Sequence, residues 1–185
     1  MSDHRPTHLA SLALATALAA VSNTSHAQDD LDFTAYQVTA GIIGNQEFGG
    51  SLGLDFDVTA ALTVTDLGAF DSGAGGLALP ITVEIWTRDN GGTPDDPTDD
   101  FELDFDPLVS IDFTPAEPGS LDTGAHRFKP LDAPIDLPVG SYSVVAWGYG
   151  AGEPNANRGS ADPPAATNFS TASGGVINFV GRSRW

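Results

Sequence analysis

The apolar residues of this chain alternate. Leu52, Leu54, Phe56 and Val58 fall on one side of their segment, and Gly53, Asp55 and Asp57 on the other. That is the period of a half-buried β-strand, whose successive side chains point to opposite faces. Ile81 to Arg88 repeats the pattern, with Ile81, Val83 and Ile85 inward and Thr82, Glu84, Trp86 and Arg88 outward. Val109, Ile111 and Phe113 give a third register. After residue 28 no stretch has a helical period, and Gly- or Pro-rich segments separate short apolar runs. Such a chain folds as an all-β domain.

The predicted strands are Phe33–Val38, Ser51–Val58, Ala61–Phe70, Ile81–Arg88, Leu108–Phe113, Ala125–Lys129, Leu131–Leu137, Tyr142–Tyr149 and Gly175–Val180. In Ala61–Phe70 the phase moves from Leu62 and Val64 to Leu67 and Ala69, which places a bulge near Gly68. Pro134 marks an edge or a break. Tyr142–Tyr149 (YSVVAWGY) is apolar on both sides, as a central strand is. One-faced strands are best buried by two packed antiparallel sheets. A jelly-roll-like sandwich is expected over an immunoglobulin-like one, because no cysteine is present to form an inter-sheet disulfide.

Ahead of the strands, Arg5 and His8 precede an apolar run from Leu9 to Val21, followed by Ser25-His26-Ala27. A basic start, a short apolar core and a small-x-small site read as a signal peptide covering residues 1–27, with cleavage before Gln28. Residues 28–32 are a loose acidic leader, and 33–185 form one domain with no membrane span after signal removal. The signal peptide removes one acid (Asp3) and one base (Arg5), so the mature chain keeps the net charge of −18. That charge excludes nucleic acid and anionic membrane surfaces as partners. The absence of cysteine excludes thiolate chemistry and Cys-ligated metals. His126 is the one histidine outside the signal peptide, and it shares the face of Phe128, so it is expected to be a buried core residue. No motif picks out a catalytic pair, and a non-enzymatic domain is expected.

Two stretches carry a resemblance: ITVEIWTRDNGG (Ile81–Gly92) with LVSIDFTPAEPG (Leu108–Gly119), and HRFKPLDAPIDLPVGSYSVVAWGYGAGEPNANRG (His126–Gly159). Over roughly Phe48 to Gly181 the chain resembles uncharacterised secreted bacterial β-sandwich modules of the kind found in exosortase-sorted surface proteins with a PEP-type tail. The resemblance implies a sandwich fold and a place at or outside the cell surface, and brings no catalytic residues with it. The acidic segment after Arg88 is longer than the resemblance implies, and no such tail follows Trp185, which leaves a free secreted protein and a truncated reading frame both open.

Three groups of residues are candidates for binding. The acidic loop 89–107 carries eight acids and no base. Its Asp89, Asp95, Asp96, Asp99 and Asp100 offer hard oxygens to calcium, although the spacing departs from an EF-type loop. A solvated flap that keeps the protein soluble is the competing reading. Trp86 lies on the polar side of its strand, and Trp147 and Tyr149 share one face two residues apart, an arrangement on which sugar rings stack. Packing of these rings in the core is the competing reading there. The Gly/Pro/Asn-rich loop 150–174 holds Glu153, Asn155 and Asn157 among glycines, and polar loops at the end of a rigid sandwich often bind ligands. The expected function is an exported binding module for carbohydrate or extracellular matrix polymer. The other expectation is a structural surface-assembly subunit, bridged by calcium.

Overall fold

A computed structural model describes residues 32–93, 99–156, 167–169 and 175–184. Among these residues eleven strands follow one another: β1 Tyr36–Val38, β2 Leu52–Val58, β3 Leu62–Phe70, β4 Ile81–Asp89, β5 Phe101–Glu102, β6 Val109–Phe113, β7 Ser120–Leu121, β8 His126–Leu137, β9 Gly140–Trp147, β10 Thr167–Phe169 and β11 Ile177–Arg184. Among the described residues the one helical element is a 3₁₀ turn at Ser72–Ala74. The predicted all-β sandwich is therefore the fold.

The larger sheet runs β11-β2-β9-β4, with β6 and β5 sharing the far edge of β4. β6 lies along Ile81–Ile85, and β5 along Arg88 and Asp89. The smaller sheet is β3-β8-β7, and β1 pairs with β10 separately. All pairings are antiparallel. Between the two sheets lie Phe56, Val58, Leu67, Phe70, Ile81, Val83, Ile85, Phe113, Leu137 and Tyr142, all buried. Lys129 on β8 reaches across the seam, donating to the carbonyl of Asp112 at 2.7 Å and lying 5.4 Å from the Phe113 ring centroid. Strand β9 is central, between β2 and β4, as its two apolar faces predict.

Several local expectations change. The first strand is shorter than predicted, and the register shift in β3 falls between Val64 and Asp66, ahead of Gly68. Gly68 instead faces the Phe128 ring, where a Cβ would come within 2.7 Å. The two segments expected on either side of Pro130 are a single strand, β8. Its residues 131–134 fall inside the register shift, so Pro134 interrupts no ladder pair. Among the described residues β7 lines only Arg127 and Phe128 and leaves the rest of that edge of β8 without a ladder, where proline is tolerated.

Arg88 and Asp55, both expected outward, are buried. Arg88 donates to Asp57 at 2.6 Å and also to Asp100. Asp55 accepts from the Ser143 hydroxyl at 2.5 Å. Chain segments distant in the sequence cover these groups and supply their partners, which alternation alone does not reveal. The acidic loop is not wholly irregular either, since it contains β5.

Candidate functional site

The register fixes which side chains share the outer face of the larger sheet. Tyr142, Val144 and Ala146 of β9 pack toward the core, so Ser141, Ser143, Val145 and Trp147 face away from it. Across the strands, Ser143 lies between Asp55 and Trp86, and Val145 between Gly53 and Glu84, which pairs in turn with Ser110. Trp147 lies opposite Thr82, which pairs with Asp112.

Hydrogen bonds lock this face. Ser141 donates to Asp57 at 2.7 Å, the Trp86 indole Nε1 to Glu84 at 3.0 Å, Ser110 to the other Glu84 oxygen at 3.1 Å, and Thr82 to Asp112 at 2.6 Å. Trp86 is half-buried by this arrangement. Trp147 is 48% exposed at the open end of the face. Four residues along the strands and one strand across separate the two tryptophans, roughly 14 Å at about 3.3 Å per residue and about 4.8 Å per strand. The face thus offers an exposed indole beside hydroxyl and carboxylate groups held in fixed positions.

Tyr149 does not join it. Strand β9 ends at Trp147, and Gly148 takes a positive φ of 104° against the Pro80 carbonyl, where a Cβ would come within 2.2 Å. The chain turns inward there. The Tyr149 hydroxyl accepts from the amide of Phe70 at 2.9 Å and donates to its carbonyl at 3.3 Å. Burial raises its pKa well above the ordinary value, so it stays protonated. The expected Trp147–Tyr149 pair is therefore replaced by Trp147 outside and Tyr149 inside.

Glu153 is likewise internal, 2% exposed. One carboxylate oxygen accepts from the amide of Ser72 and the other from that of Ala78, each at 2.7 Å. Gly150 and Glu153 exchange backbone hydrogen bonds, closing a tight turn. Asp71 takes a similar part, accepting from the amide of Gly76 and from Arg127 Nε at 2.5 Å. The backbone of Asn155 pairs with Gln46. These residues tie segments 42–46, 71–78 and 149–156 together, so the carboxylate expected to meet a ligand holds the fold. Asn157 lies outside the described residues.

In the acidic loop, Asp95 and Asp96 lie outside the described residues. Asp89 accepts from the amide of Gly91 at 2.9 Å, and both oxygens of Asp99 accept from the Thr93 hydroxyl at 2.9 Å. Asp100 pairs with Arg88. Among the described residues no three acidic or histidine side chains converge on a common metal position.

His126 is buried, as its phase with Phe128 predicts. Its ring stands edge-on to Tyr36 and Phe70 at centroid distances of 5.4 and 5.9 Å, and its Nδ1 accepts from the amide of Val38 at 3.4 Å. Burial lowers its pKa to about 4, against a smaller upward pull from Asp122. A neutral, hydrogen-bonded core histidine is the result. No family model, curated protein or solved structure matches this chain.

Proposed function

We propose that the protein is an exported, non-enzymatic module that binds carbohydrate or an extracellular matrix polymer on the outer face of its larger sheet. The observation that carries this reading is Trp147, half-exposed across from Thr82, which is hydrogen-bonded to Asp112. The C–H face of a sugar ring stacks on an indole, while its hydroxyls need donors and acceptors at the rim. Thr82 and Asp112, on the two neighbouring strands at the level of Trp147, offer a hydroxyl and a carboxylate for that purpose. The engagement of the buried carboxylates Asp55, Asp71 and Glu153 by protein donors favours binding over acid–base hydrolysis. The basic, apolar and small-residue segments ahead of Gln28 support export.

Affinity electrophoresis through gels containing soluble polysaccharides tests the proposal. A retarding polymer should lose its effect on Trp147→Ala, while Val139→Ala, in the exposed turn between β8 and β9, should migrate like the wild type. Absence of retardation across neutral, acidic and amino-sugar polymers would overturn carbohydrate as the ligand.

A further inference from the structure

The segment that begins with β5 is folded with its apolar residues outward. Residues 100–106 read Asp-Phe-Glu-Leu-Asp-Phe-Asp. In a soluble edge segment the acids would be expected to face water and the apolar residues the protein. Here Asp100 and Asp104 bond to β4 side chains while the apolar residues face solvent. Asp100 pairs with the buried Arg88, and Asp104 accepts from the Thr87 hydroxyl. The amide of Leu103 donates to the Thr87 carbonyl at 3.1 Å, and that of Leu108 to the Ile85 carbonyl at 2.8 Å. With Asp100 and Asp104 held against β4, Phe101, Leu103 and Phe105 are left in solvent, with exposures of 52%, 54% and 102%. Leu108 adds a fourth exposed apolar side chain.

An ion pair to a buried arginine fixes this orientation, so the exposure is not that of a loose loop. A contiguous apolar row of this kind marks an interaction surface. The charge around it selects the partner. The 18 residues from Asp89 to Asp106 carry eight acids and no base, and Asp99 and Asp106 are exposed beside the row. A second copy of this chain is a poor match. It too carries a net charge of −18, and among the residues whose side chains are described, its bases Arg88, Arg127 and Lys129 are engaged by Asp57 and Asp100, by Asp71, and by the Asp112 carbonyl. Anionic membranes are repelled for the same reason. We infer that Phe101, Leu103 and Phe105 form a docking row for a different protein, one presenting apolar side chains flanked by lysine or arginine.

Fluorescence anisotropy with labelled peptides tests this. The probes are an alternating Lys-Leu peptide, a Lys-Ser peptide of equal charge and a Glu-Leu peptide of opposite charge. The Lys-Leu peptide should bind the wild type at least about ten-fold more tightly than either control, and Phe101→Ser/Leu103→Ser/Phe105→Ser should remove that preference. These side chains are exposed, so the triple variant should keep the wild-type circular dichroism spectrum. If it does not, Phe105→Ser alone, at the most exposed position, should still weaken Lys-Leu binding. Equal binding of Lys-Leu and Lys-Ser peptides would reduce the effect to net charge and overturn the proposal. So would unchanged Lys-Leu binding by the variants, or self-association of the wild type abolished by Phe105→Ser, which would make a second copy the occupant.

Discussion

Single residues in this fold have functions that their types do not announce. Glu153 is an acid in a glycine-rich loop, yet both its oxygens are occupied by the amides of Ser72 and Ala78. Removing them leaves two part-buried donors unmet. Glu153→Ala should therefore cost about 2–4 kcal/mol, read as a lower urea midpoint at unchanged slope. A midpoint equal to wild type would show that water replaces the carboxylate without loss. His126 makes stability depend on pH. Its pKa is about 4 in the folded protein and near its ordinary 6.5 when unfolded. The unfolded chain therefore takes up the proton first as pH falls. The histidine contribution is fully present above 6.5 and declines from there to about 4, with about 2 kcal/mol lost by pH 5. His126→Gln should flatten the stability profile between pH 6.5 and 4.5. Identical profiles for the two proteins would mean that another group titrates there.

At the scale of strands, alternation located β2, β4 and β6 because each has one face on a common core, and two apolar sides located β9. It failed where position is decided by something distant. Arg88 sits at an outward phase, but Asp57 of β2 and Asp100 beside β5 enclose it, and neither is near it in sequence. Proline suggested two strands where β8 is one, because the sequence does not show that its partner strand is short and its register shifted. Tyr149 follows the phase of Trp147 on paper, and Gly148 reverses it. The glycine was a visible signal, but its positive φ comes from the approach of Pro80. The outward row that begins with β5 was hidden for the same reason as Arg88, since the ion pair that turns it spans two segments. The central place of β9 has a direct consequence. Val144 lies between Leu54 and Ile85 and packs on the core. Val144→Asp should destabilise by about 3 kcal/mol or more, since it puts an unpaired charge there. A thermal melt within a degree of wild type would show that the strand is not buried as described.

Across the whole molecule, two surfaces stand out from an otherwise acidic exterior. One is the outer face of the larger sheet, polar and rigid, ending at Trp147. The other is the apolar row at Phe101, Leu103 and Phe105, set on the edge beside β4. The fold class was legible in the sequence, and so was Trp147 as a candidate. Its exposure was not, because a strand apolar on both faces equally suits a covered tryptophan. A carbohydrate-binding module should respond to loss of this indole without losing its fold. The most direct measurement is an equilibrium isotherm against the polysaccharide that retards the protein most, for wild type and Trp147→Ala, with melting temperatures measured alongside. Affinity should fall at least about ten-fold, while the melting temperature stays within about 2 °C, as expected for a half-exposed side chain. Equal affinities in the two proteins, at equal melting temperatures, would contradict carbohydrate binding on this face.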